Sequence, residues 1–193
     1  NKTGKERDDM SEWDKMIAGE RYQAKDKALL DKLMAAKESI YDYNSSRPGD
    51  VKEREEIIRK LLGKTGKSFL IMQPFYCDYG CNISVGENFF ANFHLTVLDE
   101  APVTIGNNCF IGPNVGIYTA CHPLEAGERD KWIEWAEPVT IGDSVWIGGG
   151  VTICPGVTIG DNCVIGAGSV VVKDIPANSV AVGNPAHVVK KVG

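Results

Sequence analysis

Two patterns of apolar residues divide this chain. Up to about Lys67 they recur at helical spacing, and beyond it they recur every six residues. Ser11 opens Ser-Glu-Trp-Asp, a capping-box-like start, after which Trp13, Met16 and Ile17 share one face until Gly19. Asp26 reads as the N-cap of a second helix that carries Leu29, Leu30, Leu33 and Met34. Arg47-Pro48-Gly49-Asp50 announces a third, with Asp50 as cap and Glu53 three residues on. Val51, Ile57, Ile58, Leu61 and Leu62 form its apolar stripe, and Gly63 its stop. The three stripes predict a small α-helical region over residues 1–66, packed against the rest of the protein.

The second pattern is a strict repeat. Ile105-Gly106, Ile111-Gly112 and Ile117 are followed by Ile141-Gly142, Ile147-Gly148, Ile153, Ile159-Gly160, Ile165-Gly166 and Val171. Ile117 and Ile141 are four periods apart, so the segment between them keeps the phase. A period of six fits neither a helix nor a flat sheet. It places one inward aliphatic residue on each flat face and a tight corner after it, where Gly, Asn and Asp tolerate the backbone angles. Three faces make a coil of eighteen residues, and stacked coils bury a column of Ile and Val. Residues 67–193 are therefore expected to be mainly β, a parallel β-helix solenoid. Two stretches break the repeat: a charged segment with two tryptophans at about 120–138, and a Pro- and Gly-containing closing segment from Lys173 through Pro185. A loop that interrupts a rigid coil is where function tends to sit.

Composition narrows the function. The 193 residues suit one domain with a small appendage, and 21 glycines, concentrated after Lys67, agree with the corners of a repeat. A net charge of −5 gives no global basic face, against nucleic acid as a partner. No apolar run approaches a membrane span, and the charged start from Asn1 to Asp9 has no hydrophobic signal region, so a cytoplasmic location is expected. The six cysteines lack metal-ligand spacing and read as reduced thiols, and His94, His122 and His187 lie too far apart in sequence to suggest a metal site, so none is expected.

The hexapeptide repeats, Asn-Phe-Phe-Ala-Asn-Phe at 88–93, Thr119-Ala120-Cys121-His122-Pro123 and Gly183-Asn184-Pro185-Ala186 carry a resemblance, as does Met16-Ile17-Ala18-Gly19-Glu20-Arg21-Tyr22. Together they resemble the maltose/galactoside O-acetyltransferases of the hexapeptide acyltransferase superfamily. The likeness runs from Met10 to near the end, which makes residues 1–9 an extension. It implies a left-handed β-helix working as a homotrimer, with acetyl-CoA in the groove between neighbouring subunits and a sugar acceptor near the loop. It makes His122 the catalytic histidine. A sugar hydroxyl is a poor nucleophile at neutral pH, and an imidazole is suited to accept its proton as it attacks the thioester. Cys121 invites a rival role as thiol nucleophile, although neighbours on an extended segment point to opposite sides.

The same resemblance places Phe90, Asn92, Asp99 and Glu100 at the sugar, with Trp135 stacking on its ring and Glu134 either orienting His122 or binding a hydroxyl. It places Trp146, Gly149, Ala167, Val172 and Lys173 along the acetyl-CoA groove, with His187 and Lys190 at its phosphates. Gly148-Gly149-Gly150 offers backbone N–H groups to the oxyanion. The expected activity is transfer of acetyl from acetyl-CoA to a maltose-, glucose- or galactoside-type sugar by direct attack. The alternatives are an antibiotic-modifying acetyltransferase of the same fold, a zinc hydratase needing three clustered histidines, and a β-helix without catalysis.

Overall fold

The computed structural model describes residues 10–193, and the extension read over residues 1–9 lies outside them. Helix α1 (Glu12–Ile17) is capped by Ser11, whose Oγ accepts from the Asp14 N–H at 3.1 Å. A two-residue strand β1 (Tyr22–Gln23) leads to α2 (Lys27–Ser45), where the Asp26 carboxylate accepts from the N–H groups of Ala28 and Leu29. The buried face of α2 is Leu29, Ala36, Ile40 and Tyr43, whereas Leu30 and Met34, expected on its stripe, are exposed. The solenoid surface under α2 decides which stripe is covered. Asn44 near its end fixes the orientation, accepting from the N–H of Phe75 and donating to its carbonyl, both at 2.9 Å. Helix α3 (Val51–Leu61) buries Ile58 and Leu61, leaves Val51 exposed, and starts at Asp50 without a side-chain cap bond. Gly63 does more than end it. A Cβ there would lie 2.2 Å from the carbonyl oxygen of Cys81, so only glycine lets the chain lie against the first coil.

Next comes the parallel β-solenoid, a three-sided prism. Its first face holds β4 (Ile83–Val85), β7 (Val103–Ile105), β12 (Val139–Ile141) and β15 (Thr158–Ile159). The second holds β2 (Phe69–Ile71), β5 (Phe89–Ala91), β8 (Phe110–Ile111), β13 (Trp146–Ile147), β16 (Val164–Ile165) and β18 (Ser179–Val182), closed by an antiparallel edge strand β19 (His187–Lys191). The third holds β3 (Phe75–Cys77), β6 (Leu95–Leu98), β9 (Gly116–Tyr118), β14 (Thr152–Ile153) and β17 (Val170–Val171). The chain visits the faces in that order, coil after coil. Ile105, Ile141 and Ile159 stack in one inner column, Ile111, Ile147 and Ile165 in another, and Ile117, Ile153 and Val171 in the third. All nine are essentially buried, and each contributes roughly 1.5–3 kcal/mol by leaving water.

The coils differ in length in a way the expected eighteen-residue unit does not allow. Ile83 pairs with Val103, Ile141 with Ile159 and Ile159 with Ile175, so early coils have 20 residues, later ones 18 and the closing one 16. The two extra residues sit at one corner, between the third and first faces. Between successive inward residues there, Val97 to Ile105 takes eight residues and Ile153 to Ile159 takes six. The 120–138 segment leaves from this same corner, because Ile105 pairs directly with Ile141 and the insertion adds no coil. One edge of the prism is thus widened twice and then opened into a loop.

The corner between the first and second faces is uniform. Asn88, Asn108, Ser144, Asn162 and Asn178 occupy it with φ of 54, 55, 56, 54 and 60°, the left-handed region that asparagine tolerates. The Asn88 amide donates to Asn108 at 3.0 Å and Asn162 to Asn178 at 2.8 Å, so Ser144 interrupts an amide ladder. Ser144→Asn is expected to raise the unfolding free energy by about 0.5–1.5 kcal/mol. Urea unfolding followed by circular dichroism measures this, and an unchanged midpoint would mean that the ladder carries no energy. Among the described residues no helix is long and apolar enough to cross a membrane.

Candidate active site

The inserted segment is not a free loop. It forms β10 (Ala120–Cys121), a short helix α4 (Ala126–Arg129) and β11 (Ile133–Ala136). Strand β11 pairs antiparallel with β10 on one side and with β1 on the other, setting Tyr22 opposite Glu134 and Gln23 opposite Ile133. The Ala24 N–H donates to the Trp132 carbonyl at 3.0 Å and the Gln23 amide to the Lys131 carbonyl at 3.1 Å. Arg21 forms an ion pair with Glu128, and the Lys25 ammonium sits 4.3 Å from the centre of the Trp132 ring. The N-terminal segment and the loop, separate in sequence, are therefore one small sheet.

His122 stands at the end of β10, half exposed, with Nδ1 3.6 Å from Glu134 Oε1. Glu134 is largely covered, and its Oε2 accepts from the Tyr22 hydroxyl at 2.9 Å. A carboxylate facing Nδ1 favours the proton there, which leaves the lone pair on Nε2. Cys121 is a poor nucleophile in this setting. Burial and the Glu137 carboxylate push its thiol up to about 11, so thiolate is scarce at neutral pH. Trp135 is on the opposite side of β11 from Glu134. Its indole N–H donates to Glu137 at 3.3 Å and its ring lies 5.8 Å from the Arg21 guanidinium, so it braces the sheet rather than sharing the His122 side as a sugar platform.

The widened corner supplies carboxylates beneath the loop, and they divide the work. Asp99, expected at the sugar, is fully buried. Its carboxylate accepts from the N–H groups of Asp78, Tyr79 and Asn82 at 3.1, 2.8 and 3.3 Å, stapling the eight-residue corner of the preceding coil. Burial pushes its pKa up to about 6 against the pull of those donors, and at neutral pH it stays an acceptor. Glu100, 8% exposed, is raised by burial and by the neighbouring Asp78 carboxylate. The Thr119 hydroxyl, 3.5 Å from Glu100 Oε2, donates to the Leu98 carbonyl and accepts from the Ala101 N–H. Sequence reasoning missed Asp78. The signal was the long step from Cys77 to Val85, matching the one from Val97 to Ile105 that carries Asp99 and Glu100.

The remaining expected residues lie on the second face. Leu70, Phe90, Phe110, Trp146, Val164, Val180 and Lys190 are successive partners across seven strands, an outer column of aromatic and aliphatic side chains ending on a cation. From Phe90 to Lys190 it is about 24 Å long at the spacing of β-strands. Phe90 and Phe110 rings are 6.3 Å apart, and Phe110 and Trp146 are more than half exposed. A groove of 490 Å³ runs along the middle of this column, from Phe90 to Val164, with Asn92, Gly149 and Ala167 on its rim. Gly148 and Gly150 donate their N–H groups to the carbonyls of Ile165 and Pro113, while among the described residues no carbonyl accepts the Gly149 N–H. His187 pairs with Val182 at the upper end of the face. Val172 and Lys173 follow β17, on the loop's edge of the prism rather than in the groove.

A face and the opposite edge of a three-sided prism cannot meet within one chain. The structure gathers His122, Glu134, Tyr22, Glu100 and Asp78 on the loop edge. It gathers Phe90, Asn92, Trp146, Gly149 and Ala167 on the opposite face. The sequence reading of Phe90 and Asn92 beside Asp99 and Glu100 does not hold inside a single copy.

A three-faced coil of hexapeptides with a helical N-terminal cap defines a class, the hexapeptide-repeat transferases. The bacterial transferase hexapeptide family matches residues 138–173, the hexapeptide repeat of succinyl-transferase matches residues 102–120, and the maltose acetyltransferase hexapeptide capping motif matches residues 15–66. The crystal structure of a maltose O-acetyltransferase from Clostridium difficile 630 is 51% identical, with a TM-score of 0.94 over 95% of this chain and 98% of that one. The galactoside O-acetyltransferase of Escherichia coli K12 is 42% identical over 93% of this chain and 88% of its own length. A galactoside acetyltransferase solved in complex with coenzyme A superposes with a TM-score of 0.92 at 42% identity, covering 96% of this chain and 92% of that one. The chain belongs to the maltose and galactoside O-acetyltransferase family, enzymes that transfer acetyl from acetyl-CoA to sugars.

Proposed function

We propose that the chain transfers acetyl from acetyl-CoA to a hydroxyl of a maltose-, glucose- or galactoside-type sugar, with His122 as general base, in a site completed by a second copy. The division of the site carries this reading. The base and carboxylates occupy one edge of the prism and the groove the opposite face, and a closed ring of copies sets the edge of one against the face of the next. Three copies satisfy that arrangement, as the family resemblance implies. Acetyl-CoA lies along the outer column, its apolar pantetheine arm on Phe110 and Trp146 and its phosphates towards Lys190 and His187. Val172 and Lys173 of the adjoining copy reach it from the side.

In the reaction, Nε2 of His122 takes the proton of the sugar hydroxyl as its oxygen attacks the thioester carbonyl. The Gly149 N–H donates to the oxyanion. When the carbon–sulfur bond breaks, the imidazolium returns its proton to the departing CoA sulfur, giving the acetyl ester and free thiol. Asp78 and Glu100 offer hydrogen bonds to the other hydroxyls.

Thiol release from acetyl-CoA with a panel of sugars tests this directly. Sugar-dependent release supports it, CoA binding without release for any sugar points to a non-sugar acceptor, and no CoA binding overturns it. Trp146→Ala is expected to raise KM for acetyl-CoA about tenfold, the worth of one aromatic contact, with a smaller effect on kcat. An unchanged KM would remove the second face from the cofactor path.

A further inference from the structure

We propose that Tyr22 is a positioning residue for the base, its hydroxyl holding Glu134 in the one orientation that presents a carboxylate oxygen to Nδ1 of His122. This rests on the reading of His122 as base. Tyr22 lies 112 positions from Glu134 in sequence, yet β1 sets the two directly opposite each other on β11. The phenol is 2% exposed and its hydroxyl donates to Glu134 Oε2 at 2.9 Å, while Oε1 of the same carboxylate faces His122 at 3.6 Å. The two oxygens thus have separate duties. Glutamate has three rotatable bonds and, without an anchor, no reason to keep Oε1 toward the imidazole.

The phenol is a dependable anchor because it keeps its proton. Burial first, then the negative charge of Glu134, drives its pKa far up, and Glu100 and Tyr79, the other titratable groups facing it, act in the same direction. Asp78 and Asp99 stand behind Tyr79. Ionising Tyr22 would add a charge among these carboxylates, so at any working pH the hydroxyl is a donor. A donor on Oε2 and an imidazole N–H facing Oε1 engage both sides of the carboxylate and favour the tautomer with its lone pair on Nε2. The N-terminal cap of the solenoid is by this argument part of the catalytic apparatus, through a residue that touches neither substrate.

Glu134→Gln tests the anchor while leaving Tyr22 in place. The buried phenol needs an acceptor, so it captures the glutamine oxygen and forces the amide NH₂ toward Nδ1 of His122. That imposes the wrong tautomer, with the proton on Nε2. The expected result is that Glu134→Gln is about tenfold less active than Glu134→Ala. Nitrogen-15 imidazole spectra, in which His122→Ala identifies the resonance among three histidines, should show His122 moved to the Nε2–H form. Tyr22→Phe in the Glu134→Gln background releases the amide to turn its oxygen to Nδ1, and should recover most of that tenfold loss and the original tautomer.

An Nδ1–H tautomer retained in Glu134→Gln overturns the proposal. So does a folded double variant, judged by its thermal melt, with no recovery. If the double variant does not fold, the tautomer and the glutamine-to-alanine ratio decide alone. Full activity in His122→Ala sinks the base reading instead, a separate outcome, because the spectra report on the Tyr22–Glu134–His122 geometry whatever the chemistry.

Discussion

Replacing His122 with alanine is expected to lower sugar-dependent thiol release by about 10²–10⁴-fold, the range of a positioned general base. The physical reason is the mismatch between acceptor and pH. A sugar hydroxyl holds its proton tightly at neutrality, and attack on a thioester requires that proton to leave as the bond forms. Among the residues at the loop edge, the carboxylate of Glu134 is turned toward Tyr22 and His122, and the Cys121 thiol is pushed up to about 11. His122 is half exposed, and with Nδ1 toward Glu134 its second ring nitrogen is left to take the proton. CoA affinity should largely survive the substitution, because the aromatic column that takes the pantetheine arm holds no loop residue and only the thioester end meets His122 of the adjoining copy. Binding measured by calorimetry beside the rate separates the two. A variant that keeps more than about a tenth of the rate would show that the imidazole is not the base.

Asp99→Ala is expected to cost about 3–5 kcal/mol of stability. The carboxylate is fully buried and serves three backbone N–H groups across one corner, and alanine leaves all three without an acceptor in a space closed to solvent. Asp99→Asn keeps the shape and one acceptor oxygen and should lose about half as much. The loss of activity should run ahead of the loss of fold. The stapled corner carries Asp78 and Tyr79, and the Tyr79 phenol feels Glu100 and Glu134. Equilibrium urea unfolding reads the first effect, and the rate under strongly native conditions reads the second. A shift below about 1 kcal/mol would mean that water satisfies the corner, and Asp99 would revert to a candidate sugar contact.

The contrast between these two residues shows what a sequence conveys. The solenoid was legible because a six-residue period is a local property: each Ile and each corner residue acts within its own coil, and neighbouring coils repeat the same demand. The helices were legible from caps at Ser11 and Asp26, again local. Their buried faces were less so, since Leu29 is covered as expected but Leu30 and Met34 are not, and the partner surface covers Ala36, Ile40 and Tyr43 instead. The inserted segment stood out because a charged stretch in a rigid repeat is conspicuous, and the family resemblance then pointed to His122 and Glu134 within it.

Tertiary structure alone decided the rest. Nothing local couples Tyr22 to Glu134, and strand pairing between distant segments is set by which backbone edges meet when the chain folds back. Asp99 and Glu100 are adjacent in sequence and alike in charge. One became a staple and the other faces Asp78, because the widened corner turns one side chain onto backbone N–H groups and its neighbour toward the carboxylate of the coil below. Composition and period, being sums over local choices, named the fold, while His122 as the base came from the resemblance of its motif to a known family. The partition of the site between an edge and a face is a property of the closed prism, and no stretch of the sequence contains it.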